Sequence, residues 1–512
     1  MKKLEFLIFV ALLCLAISCN KKDTAAEKKN LPISLDKQGP YLIVSSQSAS
    51  RDYAQAIELA EQMHPDAVVS QLNFNDDAAV QKLLNRIQPF YALIFVKPEE
   101  LDARLAWQWL QWSAAIDQDP FIDARTGFIT GENPAAVLSL LKRIQDALAG
   151  KIFLPAEFID QLGPNSQLAK QDFAKMPGSY MIPVLSQQYP AYAITHGIEG
   201  FSKERLQSLS GAGLIHFGGH GFPERIVNCL NGRYVRQVPF SACVVFSGAC
   251  YTGVTGHWLD MSSGYFQSRD VAAHFSFALG ILSNQAIAYL AALHADHGIP
   301  VYQELEFLSY TGAPLGETIK HTLDGVIIAS KTKALSLSQI RDGMPVSWTA
   351  AEFMLWGTAS RVLFGDPALR IMDKFCDAPF DLHVQTEPDA IKIIARVKNN
   401  NLKSTFSDAY FSDLSRTGQF NDRILISCPW PAPWLEIENP CVTKLTARGK
   451  PLPYRLIGSA WEKDRGKIIL HIQVDVESSG YMQSLLRNPG CEIEIIVYRS
   501  KKRPVSAVHS ME

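Results

Sequence analysis

Residues 213–253 read GLIHFGGHGFPERIVNCLNGRYVRQVPFSACVVFSGACYTG and contain two apolar runs of similar design. The first run, 213–217, is followed by GGHG, and the second run, 242–246, is followed by SGAC. Apolar runs of this length, bounded by glycine and serine, are typical of buried parallel strands. Each predicted strand carries one reactive side chain at its carboxyl end, where open α/β sheets place their sites. These side chains are His220 and Cys250.

The two residue types fit nucleophilic catalysis by a thiol. The thiolate is the reactive form of cysteine, and a neighbouring imidazole both increases its population and protonates a leaving amine. Gly221 lets the backbone approach a substrate, and its N–H, with that of Cys250, is a candidate donor to an oxyanion. We therefore predict Cys250 as nucleophile and His220 as general base and acid. His216 and Cys243 lie within the strands and are predicted core residues.

The composition indicates a folded protein of more than one domain. The chain has 512 residues, of which 47% are hydrophobic and 20% charged, so two or three domains are expected. A formal net charge of −2 gives no reason to expect a nucleic-acid partner. No closely spaced Cys-x-x-Cys pair is present, so no metal site is predicted.

Strand and helix signals alternate between residues 38 and 375. This pattern predicts the α/β class, with a mostly parallel sheet flanked by helices on both faces. We divide it into an N-terminal α/β subdomain, 38–200, and a catalytic subdomain, 201–375. From residue 376 several segments alternate with period two and no long helix separates them, which predicts a β-sandwich over 376–512.

Residues 1–19 are typical of an export signal and are set apart from the fold. Two lysines precede an apolar segment that is short for a membrane span, and Ala16-Ile-Ser-Cys19 resembles a bacterial lipobox. The resemblance implies that Cys19 is lipidated and becomes the mature N-terminus, followed by a polar tether over 20–37. Ordinary secretion or a simple anchor is the alternative. The expected location is the bacterial cell envelope, on a membrane and facing the periplasm or the exterior.

Seven cysteines follow Cys19. An odd number in an exported chain suggests at least one free thiol, for which Cys250 is the candidate. Pairing of Cys428 with Cys441, or of Cys376 with Cys491, is left open against the alternative of buried reduced thiols.

A hydrophobic run ending in His-Gly, followed by one ending in Ala-Cys, resembles the signature of the caspase-like (clan CD) cysteine peptidases. Within that clan the gingipain family is the most similar. FGGHG at 217–221 resembles its histidine motif, ACYTG at 249–253 its nucleophile motif, and FGDPAL at 364–369 the motif that closes its catalytic domain. Residues 119–131 resemble a further family segment loosely, because Phe-Ile-Thr stands where Arg-Ile-Pro is expected. The resemblance covers roughly residues 40–372.

The resemblance implies an endopeptidase that acts on proteins or peptides through a Cys250–His220 dyad and a thioester acyl-enzyme. It also implies an immunoglobulin-like C-terminal domain. The chemistry requires no cofactor, and calcium is implied only as a structural ion. Glu199 and Asp123 are candidates for an acid that orients the histidine. An acidic residue of the family's specificity pocket cannot be matched, which leaves the preferred substrate open.

Two other functions are considered. The same two strand motifs resemble the CHAT domains, caspase-type proteases often found inside cells, although the export signal and the Gly-Asp-Pro motif argue against that family. The third reading is an inactive peptidase fold that serves as a surface binding module. The intact His220 and Cys250 argue against it.

Overall fold

The computed structural model describes most of the chain after residue 29. The described residues are 30–155, 158–161, 211–226, 230–261, 263–296, 300–330, 340–348, 350–373, 380–398, 422–431, 434–478, 481–483 and 490–500. The predicted signal segment with Cys19 therefore lies outside them. Within the described residues, no helix combines the length and the apolar character needed to span a bilayer.

A nine-stranded sheet forms the centre of the first 372 residues. We number its strands in chain order as β1 Tyr41–Ser46, β2 Val68–Leu72, β3 Tyr91–Phe95, β4 Arg125–Ile129, β5 Phe158–Gln161, β6 Leu214–Phe217, β7 Cys243–Ser247, β8 Ala286–Ala292 and β9 Arg361–Phe364. Their order across the sheet is β2-β1-β3-β4-β9-β8-β7-β6-β5. Strands of both predicted subdomains thus belong to one sheet, and their side chains share one hydrophobic core.

Ten helices are present in the described part of this region. They are α1 Gln47–Asp52, α2 Ala54–Met63, α3 Asp77–Ile87, α4 Ala103–Ser113, α5 Pro134–Leu148, α6 Gly232–Val235, α7 Phe277–Leu282, α8 Pro300–Thr311, α9 Leu315–Ser330 and α10 Ala350–Ala359. Every residue of β1, β3, β7 and β8 is buried. Because successive side chains point to opposite faces of a sheet, both faces are covered. The α/β prediction, with a mostly parallel sheet, is confirmed.

The sheet contains one antiparallel junction. All neighbouring strands are parallel except β8 and β9, which pair from Tyr289 with Phe364 to Ala292 with Arg361. Strands β1 to β4 with β9 therefore run against β5 to β8. The carboxyl ends of the two groups of strands therefore point in opposite directions along the strands.

The Gly-Asp-Pro motif lies at this junction. Gly365 has φ +140°, a conformation that glycine adopts without steric cost, and its carbonyl lies against Gly127 of β4. The buried Asp366 carboxylate accepts hydrogen bonds from Tyr41 Oη at 2.9 Å and from the Ala368 N–H at 2.9 Å, and its Oδ2 lies 2.6 Å from His64 Nε2. The motif thus ties β1 and β4 to the end of β9.

The folded region begins earlier than predicted. Asn30–Leu31 pairs with Leu154–Pro155, and Ser34–Leu35 pairs with Leu369–Arg370. Residues 30–35, which the sequence analysis assigned to the polar tether of 20–37, therefore belong to the fold. Alternating Leu31, Ile33 and Leu35 lie in or against the core, a short apolar pattern that the surrounding lysines obscured.

The C-terminal strands form two antiparallel sheets. They are β10 Phe380–Thr386, β11 Ala390–Val397, β12 Asp422–Pro429, β13 Cys441–Ala447, β14 Lys450–Pro451, β15 Tyr454–Asp464, β16 Lys467–Ser478, β17 Tyr481–Gln483 and β18 Cys491–Tyr498. One sheet has the order β10-β11-β18-β13-β14, and the other has β12-β16-β15 with β17 on β16. Isoleucines of β11 and β18 share a core with Ile424, Leu470 and Ile472 of the second sheet, which is the arrangement of a β-sandwich. The immunoglobulin-like assignment stays a prediction.

A group of buried charged residues joins this sandwich to the larger region, and we call it the junction cluster. It consists of Lys320 and Asp324 of α9, Glu462 of β15 and His471 of β16. Lys320 Nζ lies 2.6 Å from Asp324 Oδ2 and 3.0 Å from Glu462 Oε1, and His471 Nε2 lies 2.9 Å from Glu462 Oε2. Burial alone would raise the pKa of Glu462, but Lys320 and His471 hold it below its usual range. The cluster is therefore an ion-pair network.

Asp123 lies beside the junction cluster and gives a pH-dependent stability. Burial, together with the Asp117 carboxylate, raises the pKa of Asp123 to about 7, against the opposing effect of Lys320; Glu462 adds to the rise. The folded state then holds a proton that the unfolded chain releases near pH 4. This contribution to stability is full below pH 4 and is lost as the pH rises towards 7, at ~1.4 kcal/mol per pH unit for one proton.

We expect the thermal midpoint of Asp123→Asn to fall less between pH 5 and pH 7 than that of the wild type. Differential scanning calorimetry at both pH values measures the difference. Asp146→Asn is the control, because Asp146 forms only a surface pair with Lys151 at 3.0 Å. If the thermal midpoint decreases equally in the wild type and in Asp123→Asn between these pH values, the assignment of a raised pKa to Asp123 is contradicted.

Candidate active site

The strands that carry His220 and Cys250 are hydrogen-bonded neighbours. β6 and β7 pair in parallel from Leu214 with Val244 to Phe217 with Ser247. Both candidate residues therefore follow the carboxyl ends of adjacent strands. A Cβ on Gly221 would lie 2.3 Å from the Cys250 carbonyl oxygen and 3.0 Å from its nitrogen. The backbone directly after His220 thus packs against the backbone of Cys250.

Local backbone geometry presents both side chains. Gly219 has φ +116°, which favours glycine, and the turn it forms leaves His220 exposed. After Cys250, Tyr251 has φ +60°, an uncommon conformation for a residue with a side chain. Its N–H donates to the His294 carbonyl at 3.0 Å, and its ring contacts the His294 ring edge-on. These contacts with the segment after β8 hold the strained turn in place.

Cys250 is partly buried, and its thiol lies among backbone groups. Its S–H donates to the Asp296 carbonyl at 3.1 Å, and the Asp296 N–H donates to the sulfur at 3.3 Å. The N–H groups of Gly221 and of Cys250 itself also favour the thiolate and lower its pKa. The Asp296 N–H can thus donate to the thiolate, whereas the thiol donates to the Asp296 carbonyl.

These groups act in opposite directions on the thiol. Burial raises the pKa of Cys250, and the Asp296 carboxylate adds to the rise, whereas the N–H groups of Asp296, Gly221 and Cys250 lower it. The net pKa lies above the ordinary value. A base is therefore needed to produce the thiolate at neutral pH. The exposed His220 belongs to the segment that contacts Cys250 and carries the residue type suited to that task.

The sequence analysis did not single out Asp296 or the residues behind it. Asp296 follows β8, and its carboxylate is bound by Arg361 of β9, which also binds Glu304 of α8. Glu304 and Asp296 lie 57 and 65 residues away from Arg361 along the chain. No short motif links such positions. The only local signal is a charged residue in an otherwise apolar strand, since residues 359–364 read ASRVLF.

The other predicted site residues are dispersed. Glu199 lies outside the described residues. Asp123 lies two residues before the start of β4, and the charged groups that affect it are those of Asp117, Lys320, Glu462 and Arg125 rather than any group near Cys250. The structure therefore does not bring Asp123 to His220. His216 and Cys243 are buried, as predicted for core residues.

Among the described residues, Cys243, Cys250, Cys428 and Cys441 are not joined in disulfides. The considered pairing of Cys428 with Cys441 is therefore absent. Cys428 is buried in the core of the sandwich, whereas Cys441 is exposed on β13. Cys376, the other partner considered for Cys491, lies outside the described residues.

One set of three side chains among the described residues has the spacing of metal ligands, Asp324, Glu462 and His471. Lys320 already supplies a cation to two of them. We therefore assign this set to the ion-pair network. Calcium binding stays a prediction from the resemblance.

Comparison with known proteins finds similar solved structures, among them the following two. The Arg-specific cysteine proteinase gingipain R (RgpB) is 11% identical over 90% of this chain and 98% of its own, with a TM-score of 0.45. A protein described as a protease is 11% identical over 90% of this chain and 97% of its own, with a TM-score of 0.46. No protein family model and no curated protein matches the chain. At these values neither likeness carries an inference, so the proposal below rests on the geometry around Cys250.

The contact between Gly221 and Cys250 leads to a prediction. Gly221→Ala places a Cβ within 2.3 Å of the Cys250 carbonyl oxygen, so the loop with His220 must move away. We expect at least about a tenfold loss of Cys250 labelling by a thiol-reactive peptide, with a stability loss of about 1–3 kcal/mol. Labelling is followed by peptide mass spectrometry.

Gly150→Ala is the control for this substitution. Gly150 has open space around its Cβ position and φ +68°, so alanine there strains a surface turn without touching the site. Labelling should stay at the wild-type rate. If Cys250 is labelled at the wild-type rate in Gly221→Ala as well, the close approach of the Gly221 and Cys250 backbones does not affect the reactivity of the thiol.

Proposed function

We propose that this protein is a cysteine endopeptidase with Cys250 as nucleophile and His220 as general base and acid. The observation that carries the proposal is the surroundings of the thiol. Cys250 is only partly buried, its sulfur accepts from the Asp296 N–H at 3.3 Å, and the N–H groups of Gly221 and Cys250 favour its thiolate, beside the segment that holds His220. Structural cysteines are usually enclosed by apolar side chains and are inert.

The proposed reaction begins with transfer of the Cys250 proton to His220. The thiolate then attacks the carbonyl carbon of a peptide bond, forming a C–S bond while the carbonyl π pair moves to oxygen. Collapse of this intermediate breaks the C–N bond, and His220 gives its proton to the departing amine. The remaining thioester is hydrolysed by water, which His220 deprotonates.

Backbone donors support the intermediate. The N–H groups of Gly221 and Cys250 favour the Cys250 thiolate in the resting protein, and the oxyanion forms on the atom next to the carbon that the sulfur attacks. A small shift lets the same donors bind that oxygen. Loss of one such donor typically costs about 10²–10³ in rate.

The test is hydrolysis of a mixed peptide library by the chain from Asn20 onward. The assay is repeated after limited proteolysis, which would activate the protein if it is made as an inactive precursor. A thiol-reactive peptide probe is applied in parallel and its attachment site is mapped by mass spectrometry. The proposal expects cleavage and attachment at Cys250. The absence of both would favour the binding module and overturn the proposal. Cleavage preferences would then separate the gingipain-type reading from the CHAT-type reading.

The proposed location follows from residues 1–19 alone. A lipid on Cys19 would hold the enzyme on a membrane of the bacterial cell envelope, with its site facing the periplasm or the exterior. Protein or peptide substrates would then be met outside the cytoplasm.

A further inference from the structure

A buried arginine lies behind the Cys250 thiol. Arg361 begins β9, and its side chain is 0% exposed. Its Nε and Nη2 donate to the two carboxylate oxygens of Glu304 at 2.6 and 2.7 Å, which is a bidentate pair. Its Nη1 donates to the Ser247 carbonyl at 2.9 Å and to the Asp296 carboxylate. One guanidinium thus connects α8, the end of β7 and the segment after β8.

Two of these connections lead directly to the nucleophile. Ser247 ends β7 three positions before Cys250. Asp296 holds the sulfur between its own N–H and carbonyl, at 3.3 and 3.1 Å. A movement of the Asp296 backbone would therefore remove a thiolate donor and the thiol acceptor together. Arg361 is the group that fixes the Asp296 side chain.

The charges of this group also bear on the thiol. Asp296 and Glu304 are both fully buried at the side chain, and Arg361 is their shared cation. The Asp296 carboxylate disfavours a thiolate beside it. The neighbouring titratable side chains are Tyr251 and His294, which contact each other, and His220 on the segment after β6. Burial lowers the pKa of His294 to about 3, so it adds no positive charge near neutral pH. Arg361 supplies that charge.

We propose that Arg361 is a positioning residue for the Cys250 nucleophile. It holds the Asp296 backbone against the sulfur and neutralises the carboxylate beside it. It acts through Asp296 and does not touch the sulfur, so it is not a catalytic residue. The proposal rests on the proposed role of Cys250 as nucleophile.

The test measures the rate of Cys250 alkylation by iodoacetamide between pH 5 and pH 10 in the chain from Asn20 onward, by peptide mass spectrometry. Asp296→Asn removes the negative charge and keeps an oxygen for Arg361, so the alkylation profile should move to lower pH. Arg361→Gln leaves Asp296 uncompensated, so the profile should move to higher pH. A shift of one pH unit changes the rate near pH 7 about tenfold. Arg361→Lys keeps the charge and should recover part of the wild-type profile.

Arg143→Gln is the matched control. Arg143 is a buried arginine whose guanidinium donates to the carbonyls of Ala286 and Leu282, at the opposite end of β8. Its loss should lower the thermal midpoint and leave the alkylation profile of Cys250 unchanged.

Opposite shifts of the two variants support the proposal, because a merely structural role would not change sign between them. An unchanged profile in Asp296→Asn, or shifts in the same direction, would overturn it. If Arg361→Gln does not fold, Arg361→Lys takes its place: an ammonium cannot bind Ser247, Asp296 and Glu304 as the guanidinium does, so its profile should still lie at higher pH than that of the wild type, and an unchanged profile would overturn the proposal. Alkylation does not require turnover. If the alkylation profiles shift as expected but the wild type hydrolyses no peptide, only the peptidase function is overturned. If the wild type hydrolyses peptides but the profiles do not shift, only the positioning role of Arg361 is overturned.

Discussion

Cys250→Ala is expected to lower peptide hydrolysis by about 10⁴–10⁶-fold, the range seen when a catalytic nucleophile is removed. The alanine lacks the sulfur that attacks the carbonyl carbon, and no other thiol lies at the end of β7. Stability should change little, because Cys250 is only partly buried and its backbone contacts with Gly221 do not involve the side chain. The measurement is the initial rate on the best peptide found in the library, with circular dichroism as a check of folding.

Cys243→Ala is the matched control for this substitution. Cys243 begins the same strand and is completely buried, and burial raises the pKa of its thiol to about 12, so it has no thiolate at neutral pH. Its replacement should cost about 1 kcal/mol of stability through lost packing and leave hydrolysis within about twofold of the wild type. Hydrolysis that survives in Cys250→Ala would remove the basis of the proposed function.

Lys320→Met should destabilise the protein by about 3–5 kcal/mol, the usual effect of removing one partner of a buried ion pair. Lys320 is 2% exposed at the side chain, and its loss leaves Asp324 and Glu462 without their shared cation. The two carboxylates belong to α9 and β15, so their repulsion acts across the contact between the two domains. Calorimetry should show a lower midpoint, with the sandwich unfolding separately from the rest.

Lys392→Met is the comparison for the same residue change at a surface pair. Lys392 Nζ lies 3.0 Å from Glu494 Oε2, a distance equal to that between Lys320 and Glu462. Its side chain is 36% exposed, so the cost should stay below about 1 kcal/mol. Similar midpoints for the two variants would mean that burial of the junction cluster contributes nothing to domain docking.

The sequence predicted the centre of the sheet because buried parallel strands are continuous apolar runs. Tyr91–Phe95 and Cys243–Ser247 are clear examples, bounded by helix or turn signals. The apolar run at 286–295 predicts a strand or a helix equally well, since an apolar run without alternation fits both. The structure forms a strand over Ala286–Ala292 because its neighbours β7 and β9 bind both edges. Tertiary pairing, which the sequence does not show, decided the outcome.

The residue pattern over 271–282 predicts a helix, whereas the helix of the structure begins later, at Phe277. Ser276 is the reason: its hydroxyl accepts from the Leu279 N–H and caps the helix. The preceding residues make turns instead. A serine before an apolar segment is a recognisable N-cap, so this boundary could have been placed more closely from the residues alone.

The candidate site was predicted in part. His220 and Cys250 end adjacent strands, a relation that can be inferred from two similar motifs about one crossover apart. Asp296 and Arg361 could not be inferred, because what brings them to Cys250 is the order of β7, β8 and β9 across the sheet. No role can be predicted for an aspartate after one strand and an arginine at the start of another until it is known that the two strands are neighbours.

The position of β9 also affects how the chain must fold during synthesis. This four-residue strand lies between β4 and β8, yet it is the last of the nine to emerge. Until residues 361–364 are available, β4 and the wholly apolar β8 each present an unpaired edge, and exposed apolar edges are templates for aggregation. A chain that ends before residue 361 would therefore contain two separate groups of strands, each with an unpaired edge. A chain that continues past the Gly-Asp-Pro motif includes β9 and can join the two groups into one sheet.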